Sequence, residues 1–135
     1  MHIRLALSAF AILALTALTA CTTAPAATTA SRVADGSSIE LAPGQSAQLA
    51  DDSRIDYVKL VSDSRCRPDV QCVWAGDATI ALRWTPAAGA MVAQDFVLHT
   101  TLDPKSFDTD TRRITLTALE RGDAPKATLQ IDAAH

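Results

Sequence analysis

Between Asp63 and Gly76 the chain reads DSRCRPDVQCVWAG, which gathers two cysteines, two arginines and a tryptophan into fourteen residues. Thiols at this spacing can close a disulfide, cycle as a redox pair or hold a metal. A thiol–disulfide redox pair has two residues between its cysteines at a helix N-terminus, where the thiolate is stabilised. Here Cys66 and Cys72 are separated by five residues, and no helical pattern follows. A zinc site asks for four ligands, and after Cys21 only His99 and His135 could add to the pair. Neither lies near it in sequence.

The residues between the cysteines favour closure. Pro68 and Asp69 are turn formers and bring the two ends back together. A bridge over so short a loop stabilises by about 2 kcal/mol and fixes the local backbone. Trp74 follows Cys72 by two positions, so on an extended backbone both side chains share a side. That predicts an indole packed over the sulfur. Asp63 and Arg65 share a side by the same rule, and can pair or satisfy backbone groups in the loop. Gly76 permits a backbone geometry that other residues resist.

Elsewhere the chemistry is thinner. His99 falls on the strand face opposite Phe96 and Leu98, which predicts a surface histidine. Leu102 to Thr111 contains Asp103, Asp108 and Asp110 but lacks the glycine and the terminal glutamate of a calcium loop, so it reads as a solvated hairpin loop. Asp51, Asp52 and Asp56 read the same way. Ser46 lacks the strand–elbow–helix setting of a nucleophile. No catalytic residue, cofactor or metal centre is expected.

The elements that position these residues alternate with period two. Ile39 and Leu41, Ala47 and Leu49, then Ala78, Ile80, Leu82 and Trp84 mark inward faces. Phe96 and Leu98, then Ile114, Leu116 and Ala118, then Leu129 and Ile131 continue the pattern. The run Ile55 to Val61 is strand-like, with either Val58 and Leu60 or Tyr57 and Val61 inward. Proline, glycine and aspartate separate the segments. The pattern predicts an all-β domain of about seven short strands: a small antiparallel β-sandwich, immunoglobulin-like, or a partly open barrel.

The N-terminus carries a basic MHIR and an apolar run that ends in LTAC, Leu18 to Cys21. This segment resembles the signal peptide and lipobox of bacterial lipoproteins. The resemblance implies cleavage of residues 1–20, a diacylglycerol on the Cys21 sulfur and an acyl group such as palmitate on the new amino terminus. Two or three chains on one residue make a stable membrane anchor, where one chain does not. Thr22 follows the cysteine, and in a two-membrane bacterium the resemblance implies an outer-membrane protein facing the periplasm. Residues 21–37, rich in alanine and threonine, read as a flexible tether whose disordered part reaches on the order of 20 Å. Residues 38–135 read as a single domain.

Cleavage leaves 115 residues, with eleven Lys and Arg against fifteen Asp and Glu and no basic run. Nucleic acid is not an expected partner. If lipid takes Cys21, the remaining cysteines form an even pair outside the cytoplasm, which makes a Cys66–Cys72 disulfide the expectation.

The stapled stretch also resembles a motif of small secreted bacterial proteins of unknown function, many of them lipoproteins. In the usual form the proline follows the first cysteine directly; here Arg67 intervenes. The likeness spans about fourteen residues, and extends weakly to LAPGQSAQL. It implies no particular activity. Together these readings lead to an envelope-anchored lipoprotein with a binding or structural domain, without catalysis. Asp63, Arg65, Arg67 and Trp74 form its expected contact surface. An inhibitor or chaperone-like module acting on an envelope protein is the alternative, and an enzyme a remote one.

Overall fold

The computed structural model describes residues 32–87 and 92–134. The expected signal segment, Cys21, most of the expected tether and His135 lie outside the described residues. Eight strands are described: β1 (Ser37–Leu41), β2 (Ser46–Gln48), β3 (Arg54–Asp63), β4 (Ala78–Thr85), β5 (Gln94–His99), β6 (Ser106–Asp108), β7 (Arg112–Leu119) and β8 (Ala127–Ala133). They form two four-stranded antiparallel sheets, β1-β8-β7-β6 and β2-β3-β4-β5, which face each other as an open sandwich. The sheets do not close into a barrel. The chain crosses between sheets only after β1 and after β5, so the connections are simpler than the interleaved immunoglobulin order.

The alternation builds the core. Leu41, Ile114, Leu116, Leu129 and Ile131 from one sheet meet Ile55, Tyr57, Ile80, Leu82, Trp84 and Leu98 from the other. Each fully buried aliphatic side chain stabilises by about 1.5–3 kcal/mol. At the open side Phe96 of β5 stacks on Phe107 of β6, with ring centroids 3.9 Å apart.

Four details differ from the sequence reading, and each has a physical reason. Within the stretch expected to be a solvated loop, Ser106–Asp108 forms the edge strand β6, because Phe107 gains the stack with Phe96. In β3, irregularities between Tyr57 and Lys59 and between Leu60 and Ser62 reset the pleat, so Tyr57 is buried while Val58 and Val61 are exposed. In β7 a shift between Leu116 and Ala118 turns Ala118 outward and brings Leu119 against the core. The ordered domain begins before Ser38: Val33 bridges to Leu49 and packs on the core, and the Gly36 amide donates to the Ile131 carbonyl.

The antiparallel registers define two poles. One holds the end of β3, the start of β4, the end of β5, the end of β7 and the start of β8. The other receives the N-terminal segment and holds the start of β7 and the end of β8.

Candidate functional site

The β3–β4 connection, residues 64–77, prolongs its hairpin before it opens. The Ser64 amide donates to the Asp77 carbonyl at 2.7 Å, and the Cys66 amide to the Ala75 carbonyl at 2.8 Å. Beyond that rung the Cys66–Cys72 disulfide closes the loop, with Cα atoms 5.9 Å apart, within the ordinary span for a bridge. A turn lies inside it, where the Val70 amide donates to the Arg67 carbonyl around Pro68 and Asp69. The expected staple and its turn are both present.

Gly76 is essential to this geometry. Its φ is +71°, and a Cβ there would lie 2.0 Å from the Ser64 carbonyl oxygen. A residue with a side chain would meet both left-handed strain and a backbone clash.

Trp74 departs from expectation. It does not cover the disulfide: the residue is 82% exposed, beside Val73 at 105% and Val70 at 43%. Residues 73 and 74 form a bend rather than an extended strand, so the rule that placed Cys72 and Trp74 on one side does not apply. Arg67 is also exposed, and makes no ion pair among the described residues.

Asp63 and Arg65 pair as the spacing allowed. Nε donates to Oδ1 at 2.8 Å and Nη2 to Oδ2 at 2.5 Å. The bidentate pair holds the Asp63 carboxyl below its usual range and raises the guanidinium further. The fork also reaches the other sheet, where Nη1 donates to the Leu119 carbonyl at 2.7 Å and Nη2 to the Glu120 carbonyl at 2.6 Å. Arg65 therefore clamps the stapled loop to the end of β7 rather than offering a free contact.

Asp77 closes the loop at its other end, and the sequence reading passed over it. Its Oδ1 accepts from the Thr101 amide at 2.9 Å, the Leu102 amide at 3.4 Å and the Thr100 hydroxyl at 3.2 Å. Its Oδ2 lies 2.6 Å from His99 Nδ1. Burial opposes ionisation of Asp77, but the His99 contact and these donors outweigh it and hold the carboxyl well below the carboxylate range. His99 is thus partly buried and paired, not a free surface histidine. Thr79 Oγ1 sits 3.2 Å from the same nitrogen that faces Asp77. A catalytic relay would set the nucleophile on the opposite ring nitrogen, so this cluster has the form of a joint.

At the far pole Arg112 is buried and faces two carboxylates. Nη1 lies 3.2 Å from Asp51 Oδ2, and Nη2 donates to Asp35 Oδ2 at 3.2 Å. Nε is 2.9 Å from Asp35 Oδ1 but lacks hydrogen-bond alignment. Asp51 also accepts from the Ser53 amide and hydroxyl and from the Thr111 hydroxyl. These donors, with Arg112, hold its carboxyl below the usual value despite the opposing effect of burial. Beside this knot a cleft of about 830 Å³ is lined by Asp35, Asp108, Asp110, Arg113 and Asp132. Arg113 occupies Asp108 at 2.6 and 3.1 Å. Among the described residues no three histidine, cysteine or carboxylate side chains converge as metal ligands. No protein family, curated protein or solved structure matches the chain.

Proposed function

We propose that the protein is a lipid-anchored lipoprotein of the bacterial cell envelope whose sandwich presents the stapled loop to a protein partner, without catalysis. The observation that carries this reading is the exposure of Trp74 on a loop held at both ends. Exposed large apolar side chains on one patch mark interaction sites, and tryptophan is enriched among the residues that dominate interface energy. The staple, the Arg65 clamp and the Asp77 joint leave little loop entropy to be lost on binding. The resemblance of LTAC to a lipobox supports an anchor at Cys21, and Thr22 after it supports an outer-membrane position facing the periplasm in a two-membrane host. The N-terminal segment joins the pole opposite the loop, which leaves the loop clear of the tether's attachment.

The same rigidity favours a second reading, an inhibitor or chaperone-like module that offers the loop to an envelope protein. Capture from envelope extracts on the mature domain, compared with Trp74→Ala, tests the proposal. The folded variant is expected to lose the wild-type partner; equal capture by both would contradict it. A stoichiometric protease among the captured proteins would favour inhibition. Cys21→Ser is expected to block processing or release the protein from membranes, and unchanged fractionation would overturn the anchor.

A further inference from the structure

Arg65 and Asp77 stand at the two ends of the stapled loop, and each reaches into a different neighbouring loop. Arg65 donates to the carbonyls of Leu119 and Glu120, where the β7–β8 connection begins. Asp77 gathers the amides of Thr101 and Leu102 from the β5–β6 connection. The Thr100 amide and hydroxyl are further tied to Ala78, at 3.0 and 2.9 Å. Three loops are thereby fixed to one another by side chains that are themselves largely buried.

This pole also collects apolar surface. Of the eight exposed large apolar side chains among the described residues, Val61, Val70, Val73, Trp74 and Leu102 lie here. Leu102 is 59% exposed although its amide is held by Asp77, so it is displayed on a fixed backbone. Residues 63–77, 100–105 and 119–126 contain five Lys or Arg and six Asp or Glu. A near-neutral surface has no net attraction for anionic lipid or nucleic acid, both of which select clustered positive charge.

Resting on the function proposed above, we infer that the recognition surface is composite: the stapled loop, the Thr100–Lys105 loop and the Glu120–Lys126 loop act as one face, with Trp74 and Leu102 as apolar anchors and Arg65 and Asp77 as positioning residues. Its partner is a protein offering an apolar, weakly charged patch. Contact spread over three fixed loops explains why two buried polar joints sit beneath an exposed tip that the core does not need.

Site-specific photo-crosslinking of the full anchored chain in cells tests this. A photoreactive residue is placed at Trp74, Leu102 or Arg121, and at Val97 on the sheet face as a control. The same protein adduct is expected from positions 74, 102 and 121, with none from 97. In Asp77→Ala the adduct yield at 102 relative to 74 is expected to fall several-fold, because the joint sets the relative placement of the two loops. A purely structural role for Asp77 would lower both yields together and leave the ratio unchanged, overturning its positioning role. Adducts from 74 alone would overturn the composite surface while leaving the single-loop function intact. Lipid adducts, or no protein adduct at 74, would overturn the inference together with the function it rests on.

Discussion

The two poles of the sandwich solve the same problem in opposite ways. Each has a largely buried arginine that ties loops from both sheets. At the tether pole Arg112 lies between Asp35 and Asp51, and its surroundings are carboxylates and hydroxyls. At the stapled pole Arg65 takes one carboxylate and two backbone carbonyls, and the loop above it lifts Val73 and Trp74 into solvent. The tether pole satisfies its own polar groups inward. The stapled pole is as firmly built below its tip, but displays apolar surface that the fold does not use. A cysteine bridge, a glycine at positive φ and two polar joints beneath an exposed indole are the marks of a platform.

The largest expected effect is at the tether pole. Arg112→Met leaves the carboxylates of Asp35 and Asp51 without their cation; their side chains are 40% and 25% exposed, so the cost lies near the low end of the roughly 3–5 kcal/mol for breaking a fully buried pair. Chemical denaturation checks this. A loss below about 1 kcal/mol would mean that the knot is solvated and that the poles differ less than described.

Glycine substitutions sharpen the contrast. Gly76→Ala combines a positive φ with a Cβ 2.0 Å from a backbone oxygen, and is expected to cost about 3 kcal/mol or more. Gly36→Ala at the tether pole has a similar φ of +78° with open space around it, and should cost about 1 kcal/mol. Equal effects in thermal unfolding would show that the stapled hairpin yields easily and is not rigid.

Acid probes the Asp77 joint. Its folded pKa is depressed relative to an unfolded value of about 3.9. Its contribution to stability is therefore complete above the unfolded pKa and declines as pH falls through the folded one. The stability gap between wild type and Asp77→Asn should be smaller at about pH 3 than at about pH 5. A gap that stays constant down to pH 3 would contradict the assignment.

Much of the fold was legible because period-two alternation reports burial directly. The β4 face of Ala78, Ile80, Leu82 and Trp84 is buried as its pattern indicates. The reading failed where the pleat is interrupted. Nothing in IDYVKLV marks the irregularities that bury Tyr57 and expose both Val58 and Val61. The candidate site divides in the same way. Asp63 and Arg65 are two residues apart, so their pairing could be anticipated. The reach of Arg65 to Glu120 and of Asp77 to Leu102 spans 55 and 25 positions, and depends on how the sheets stack. The extended-strand rule fails at Trp74 because residues 73 and 74 bend, two positions before Gly76, where a positive φ accompanies the close approach of the Ser64 carbonyl.

The central claim is that the Trp74 indole is held out for a partner and contributes little to the fold. The unfolding free energy of Trp74→Ala in the mature domain tests it most directly. The variant should match wild type to within about 0.5 kcal/mol, as for an exposed side chain outside the core. A loss of about 3 kcal/mol, the cost of truncating a buried aromatic ring, would place the indole over the bridge and contradict the account.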